Sequence, residues 1–210
     1  MEFGIYLIVA IVAYFVGSQP TGYLAGRARG LDIRTMGSGN IGATNVFRIL
    51  GRKAGTCVLL IDALKGFLAC WLLPLAARSF FAGANGEYLT LIAGVGAILG
   101  HNYTCWLRFK GGKGVATTGG VFFAVAPAAA GTALAVWLIV ALISRYVSLA
   151  SIAAAVTLPL AAWCWGKSLV VIMVFLVLGL LAIYKHKGNI QRLMNGTENR
   201  IGGRKPGGVK

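Results

Sequence analysis

The chain has 210 residues, of which 58% are apolar and only 12% charged, with 30 glycines. So little polar surface excludes an ordinary soluble domain and a disordered chain, and apolar runs that do not alternate over short strands argue against a β-barrel. The charge is lopsided, 20 Lys and Arg against 5 Asp and Glu for a net +15. The cations lie in loops between apolar runs, where the positive-inside rule accounts for them and no nucleic-acid partner is implied.

The apolar runs fall near residues 3–25, 55–77, 88–107, 114–143, 147–165 and 168–185. Seven spans of about 20 residues would occupy roughly 140 positions, which leaves no room for a separate soluble domain. Glu2 and the lack of a basic segment make the first run a poor signal peptide, so it is read as a span. The second run carries Asp62 and Lys65, three residues apart. Charges at that depth require a partner and an inward orientation, so the two are read as an ion pair near the floor of a site. Whether they touch substrate or only hold helices is open. The fourth run is too long for one span and contains Ala126-Pro127. Proline removes a helical hydrogen bond and clashes with the preceding turn, so the run is predicted to divide into helices 114–126 and 128–143. A tilted or incomplete crossing by one of these short halves is open.

Charge decides the parity of the crossings. With seven spans and the N-terminus outside, the cations of 27–53, of 108–113, Arg145, and those from Lys185 through Arg204, Lys205 and Lys210 collect on the cytoplasmic side. Arg78 and Lys167 fall outside. A single crossing by the 114–143 run would divide the cations almost evenly, against the rule. The expected architecture is therefore an all-α polytopic membrane helix bundle. It has seven transmembrane helices, the N-terminus outside, the C-terminus cytoplasmic, and one integral-membrane domain over 1–210.

This orientation gathers three polar, glycine-rich segments, 34–53, 100–118 and 185–200, on the cytoplasmic face. The first includes Gly37, Ser38, Gly39, Asn40, Thr44, Asn45 and Arg48. Glycines permit positive φ and close backbone approach, so successive N–H groups can point at an anion. A short helix is expected after Asn40 as N-cap, ending at Gly51, with Thr44, Asn45 and Arg48 sharing a face as a phosphate cradle. The second segment runs from His101 to Gly111, Gly112, Lys113, Gly114 and Thr117. A lysine in a glycine loop that opens a helix suits an anion, although the spacing is not that of a nucleotide P-loop. His101 is open to roles as acid, base or phosphate ligand, or as a neutral helix-end histidine. In the third segment, continuation of the last span would put Lys185, Asn189 and Arg192 on one stripe with His186 nearby, ahead of Thr197 and Glu198.

Cys57, Cys70, Cys105 and Cys164 have no metal-ligand spacing and are read as packing residues, with neither zinc nor disulfide expected. The sequons at Asn102 and Asn195 fall on the predicted cytoplasmic face and are treated as coincidental.

Gly-Ser-Gly-Asn-Ile-Gly-Ala-Thr-Asn-Val-Phe-Arg (37–48), Phe-Lys-Gly-Gly-Lys-Gly-Val-Ala-Thr (109–117) and Lys-His-x2-Asn-Ile-x-Arg-Leu-x2-Gly-Thr-Glu (185–198) together resemble the signatures of the bacterial acyl-phosphate:glycerol-3-phosphate acyltransferases. Asp62-Ala63-Leu64-Lys65-Gly66 also looks like a recurring element of that family. One departure is Thr104, where family members often carry proline. The resemblance implies seven spans in the bacterial inner membrane, an active site at the cytoplasmic boundary, and no metal or cofactor. It also implies transfer of a fatty acyl group from acyl phosphate to the 1-hydroxyl of glycerol 3-phosphate, giving lysophosphatidic acid and phosphate, the first step of phospholipid synthesis. Membrane lipid is the expected surroundings, and the oligomeric state is not specified.

Acyl phosphate is already activated, so the protein mainly has to align two anions and steady the developing oxyanion and departing phosphate. Lys113, the 111–114 backbone, Ser38 and Arg48 are assigned to phosphate binding and charge stabilisation, with Gly37, Gly39, Asn40 and Thr44 completing the cradle. Asn45, His186, Asn189 and Arg192 are assigned to orienting glycerol phosphate and completing the polar wall, and Glu198, Asp62 and Lys65 are counted among the substrate-binding residues. The chain lacks a His-x4-Asp dyad, since Trp106 follows His101 by five and Gln191 follows His186 by five. The proton acceptor is thus either His101 or a substrate phosphate oxygen. A transporter would need polar groups on both faces, and a metal-dependent lipid phosphotransferase needs an aspartate cluster, whereas this chain has only Asp32 and Asp62.

Overall fold

The computed structural model describes residues 2–202; Arg204, Lys205 and Lys210 of the basic tail lie outside the described residues. In chain order the helices are α1 (Glu2–Ser18), α2 (Thr21–Arg27), α3 (Ala43–Leu50), α4 (Arg52–Phe80), α5 (Gly86–Asn102), α6 (Val115–Val125), α7 (Pro127–Ser144), α8 (Val147–Cys164), α9 (Leu169–Lys185) and α10 (Lys187–Met194). Single 3-10 turns occupy Ile33–Thr35 and Cys105–Leu107, and there is no strand among the described residues. Phe3–Arg27, Arg52–Phe80, Pro127–Ser144 and Val147–Cys164 are long and apolar enough to cross a membrane, and the bent pair α9 and α10 makes a fifth if taken as one span. The protein is all-helical, with four to five candidate spans.

The predicted division of the fourth run is present. Pro127 opens α7 at a helical position where its missing N–H is no loss, and Ala126 leaves the helical region at φ −147°. A second proline break was not expected. The first run divides at Gln19-Pro20, between α1 and α2, because Pro20 offers no N–H to continue the ladder. Pro74 and Pro159, by contrast, sit inside α4 and α8 without ending them.

The chain forms two compact units divided at Pro127 and Ala128. In the first, α1 packs on α5 and α4 packs on both α5 and α6. Glycines permit these close contacts. A Cβ at Gly17 or Gly100 would overlap the backbone carbonyls of Ala97 or Tyr14, and one at Gly66 or Gly120 would overlap those of Thr117 or Ala63. Where lipid is as apolar as leucine, such small-residue contacts draw helices together through dispersion rather than hydrophobic burial. In the second unit α8 packs on α9, where Gly179 approaches the Ala155 carbonyl, and Trp137 Nε1 donates to Ser151 Oγ at 3.1 Å.

Helix α3 is different in kind: short, with Ala43, Val46 and Leu50 buried at i, i+3 and i+7 against Ile33, Ile41, Val58 and Leu107. Burying Val46 and Leu50 contributes about 1.5–3 kcal/mol each relative to exposure. That small core fixes the loop before α3.

Candidate active site

The loop from Arg34 to Gly42 is built around Asn45. Its Nδ2 donates to the carbonyls of Ile33 and Met36, both at 3.1 Å, and its Oδ1 accepts from the Ser38 amide at 2.9 Å. Gly37 adopts φ +59° over this amide, and a Cβ there would overlap Asn45 Oδ1. Asn45 is therefore buried as the keystone of the loop, while Thr44 and Arg48 are half-buried. The three side chains do not share one environment as the helical spacing predicts.

Two details of the sequence reading change here. Helix α3 begins at Ala43 with Gly42 as N-cap, because Asn40 Oδ1 accepts from the Gly42 amide at 2.8 Å and closes a turn before the helix instead of capping it. The amides of Ser38, Gly39 and Gly42 do not line up toward an anion. They donate to Asn45 Oδ1, Met36 O and Asn40 Oδ1. The exposed Ser38 hydroxyl and the half-buried Arg48 remain the anion-seeking groups of this segment. Nearby, hydrogen bonds from the Arg34 side chain and amide hold the Asp32 carboxyl down to about 2, and the Arg34 guanidinium also lies over the Tyr23 ring.

Beneath the second segment sits a buried polar cluster. Lys65 Nζ lies 2.8 Å from Asp62 Oδ1, donates to the Gln19 carbonyl at 3.0 Å and lies 3.0 Å from His101 Nδ1. An ammonium carries three donors and no acceptor, so a charged Lys65 requires Nδ1 to be the accepting nitrogen, with the imidazole proton on Nε2. His101 Nδ1 is 3.7 Å from Asp62 Oδ1, and all three residues are buried. The Gln19 carbonyl, which also accepts from the Thr21 amide at 3.0 Å, lies at the Pro20 break, and nothing in the sequence pairs those residues with Lys65.

The glycine loop closes on the same histidine. The amides of Gly111 and Gly112 donate to the carbonyls of Asn102 and His101 at 3.2 and 3.1 Å. A Cβ at Gly112 would overlap His101 Nε2, and Gly114, at φ +77°, caps α6 against the Asn102 amide. These glycines are demanded by the close approach to the end of α5. The amides of Gly111 and Gly112 are committed to that contact, so the expected backbone cradle at 111–114 loses two of its donors. Lys113 follows directly and is half-buried. At the departure from the family pattern, Thr104 keeps a proline-compatible φ of −63°, and its hydroxyl donates to the Ser18 carbonyl.

In the second unit the expected continuous stripe is interrupted. The helix bends by 56° between α9 and α10. His186 marks the bend, buried, with Nδ1 donating to the Ala182 carbonyl at 2.8 Å. Lys185 is thereby separated from Asn189 and Arg192, which stay one turn apart on α10 and meet the same carboxylate. Asn189 Nδ2 and Ser148 Oγ donate to Glu198 Oε1 at 2.8 and 3.0 Å, and Arg192 Nε donates to Oε2 at 2.7 Å. Burial pushes the Glu198 carboxyl up, but these three bonds and the Arg192 charge outweigh it and leave the group below its ordinary value. Ser148 was not singled out in the sequence, since it carries no motif and lies fifty residues from Glu198.

Apolar helices around a buried Asp-Lys-His cluster, with cation-bearing polar loops at their ends, define a helical integral membrane protein with the apparatus for an anionic ligand. The family model for glycerol-3-phosphate acyltransferase matches residues 7–196, and the chain belongs to that family. A relative of that name from Geobacter sulfurreducens is 47% identical over 93% of this chain and 97% of its own. One from Aquifex aeolicus is 44% identical over 93% and 98%. Crystal structures of PlsY, described as an integral membrane glycerol 3-phosphate acyltransferase, align at 42% identity over 93% of this chain. The glycerol 3-phosphate form gives a TM-score of 0.85 with 95% of that chain covered, and the lysophosphatidic acid form gives 0.81 with 94%.

Proposed function

We propose that this protein transfers a fatty acyl group from acyl phosphate to the 1-hydroxyl of glycerol 3-phosphate, releasing lysophosphatidic acid and phosphate in the first step of phospholipid synthesis. The observation that supports it most is the match of 93% of the chain, at 42% identity, to a solved relative in glycerol 3-phosphate and lysophosphatidic acid forms. The reading places the enzyme in the bacterial cytoplasmic membrane as one domain with seven crossings, the N-terminus outside, and the active site facing the cytoplasm.

In this reading Ser38, Arg48 and Lys113 bind phosphate and stabilise developing charge, supported by Gly37, Gly39, Asn40, Thr44, Gly111, Gly112 and Gly114. Asn45 acts through the loop it braces. His186, Asn189 and Arg192 orient the glycerol phosphate, with Glu198 holding the last two. Nucleophilic attack by the hydroxyl oxygen on the acyl carbonyl carbon forms the ester, and the acyl–phosphate bond breaks with its electron pair leaving on phosphate. The geometry favours a substrate phosphate oxygen as acceptor of the hydroxyl proton, because the Nδ1 lone pair of His101 already accepts from Lys65 and Nε2 carries a proton.

The test is acylation by the purified protein with acyl phosphate and glycerol 3-phosphate, with and without chelator. Product from acyl phosphate, unaffected by chelator, is expected. Among the described residues no three His, Cys, Asp or Glu side chains are gathered as a metal donor set. Acylation from a thioester alone would overturn the donor assignment. Replacement of Lys113 or Asn189 by alanine is expected to lower kcat/KM by about 10²–10³, the cost typical of losing one charge-stabilising donor.

A further inference from the structure

The buried cluster of Asp62, Lys65 and His101 bears directly on Lys113, although none of the three needs to reach substrate. Lys65 is ion-paired with Asp62 at 2.8 Å, donates to the Gln19 carbonyl at 3.0 Å and lies 3.0 Å from His101 Nδ1. Which ring nitrogen of a histidine carries the proton is set by the bond made at the other. On the far side of the ring, Nε2 lies against Gly112, whose amide is bonded to the carbonyl of the same histidine. The residue after Gly112 is Lys113.

We propose that Lys65 is a positioning residue: held by Asp62 and by the Gln19 carbonyl at the Pro20 break, it locks His101 as the neutral Nε2–H imidazole on which the Gly111–Gly112 loop is seated, and so places Lys113 for catalysis. The inference rests on the reaction proposed above for its turnover readout, but its central claim concerns the state of one imidazole and is testable without substrate. It also explains a charged pair inside an apolar helix. Such a pair is costly in a membrane unless it does something there, and here its lysine lies within hydrogen-bond distance of the histidine at the end of α5. Of the titratable groups on elements packed against α5, Asp62 and Lys65 of α4 face the ring. Tyr14 of α1 commits its hydroxyl to the Tyr103 carbonyl, α6 carries none, and the flanking loops bring Cys105, at 4.0 Å from the Ser18 hydroxyl, and Lys113 itself.

The primary test is nitrogen-15 NMR of the imidazoles in purified wild-type protein, which has only two histidines, assigned with the His101→Asn variant. Expected is a neutral Nε2–H signature for His101 at pH 7. An Nδ1–H tautomer or an imidazolium overturns the proposal, even if no Lys65 variant folds. The second test is Lys65→Met. There the single Nε2–H signature should be lost and kcat should fall about 100-fold, as for a catalytic group displaced by roughly an ångström, with the KM values for both substrates nearly unchanged. A rise in KM with kcat preserved would assign Lys65 to substrate binding and overturn the positioning role. Failure of wild-type protein to acylate glycerol 3-phosphate would refute the proposed reaction and leave the imidazole result standing.

Discussion

Asn45 shows how a side chain inside a signature motif can act without reaching a ligand. Both amide hydrogens and the carbonyl oxygen are committed to Ile33, Met36 and Ser38, so the residue shapes the loop that carries the Ser38 hydroxyl. An Asn45→Asp replacement keeps shape and acceptor but turns the two donors into acceptors facing carbonyl oxygens. Each buried carbonyl left without a donor costs about 1–3 kcal/mol. The charged variant should therefore be at least as damaging as Asn45→Ala. Both are expected to lower turnover by roughly 100-fold through displacement of the loop, and to expose Arg34 to trypsin in limited proteolysis. Normal turnover by Asn45→Asp would show that these bonds do not hold the site. The motif residues were legible here because glycines, amides and a hydroxyl are conspicuous between apolar runs. Their division of labour was not, since spacing on α3 puts Thr44, Asn45 and Arg48 on one face and only the fold shows that Asn45 turns inward.

At the scale of the elements, helix breaks organise the polar groups, and they differ in how visible they are. The Ala126-Pro127 break is announced by a run too long for one crossing, while Pro20 lies near the end of a run of ordinary length. Its consequence, a carbonyl offered to Lys65 forty-six residues away, is not written in any local pattern. The bend at His186 has no proline at all; it is fixed by the Nδ1 bond to Ala182 and by the convergence of Asn189 and Arg192 on Glu198. Because the folded Glu198 carboxyl titrates below its ordinary value, its three bonds contribute stability that is fully present above the usual glutamate range, ~4.3, and is lost as pH falls through the folded value. Acidifying wild-type protein from pH 6 toward that lower value should depress Tm more than the same change does in Glu198→Gln, which lacks the ionisation. At neutral pH the Gln variant should melt lower, having lost the charged bond to Arg192. Parallel Tm curves for the two proteins would separate the turn after α10 from the pH response.

For the whole molecule, the number of crossings turns on α6. Eleven residues extend about 16 Å at ~1.5 Å per residue, roughly half the hydrocarbon layer, and the helix ends at a break from which α7 starts again. Length alone would let α6 enter and turn back, but charge argues otherwise. If α6 and α7 both traverse, the turn after α4 and the turn after α8 lie on the same side, each with few cations, and the basic loops gather on the other. If they traverse only once between them, those two turns lie on opposite sides and the cations divide against the positive-inside bias. Crossing by so short a helix is tolerable because Gly66 and Gly120 bring α4 and α6 backbone to backbone, so its ends are not left facing lipid. Single cysteines at Ala82 and Lys167, introduced after replacing Cys57, Cys70, Cys105 and Cys164, should both react with an impermeant maleimide from outside intact cells. Cysteines at Arg145 and Thr197 should react only after permeabilisation. Opposite labelling of Ala82→Cys and Lys167→Cys would reduce the count by one crossing, and it would carry the loop of Arg145 and the residues around Glu198 to the outer face, away from a cytoplasmic supply of glycerol 3-phosphate.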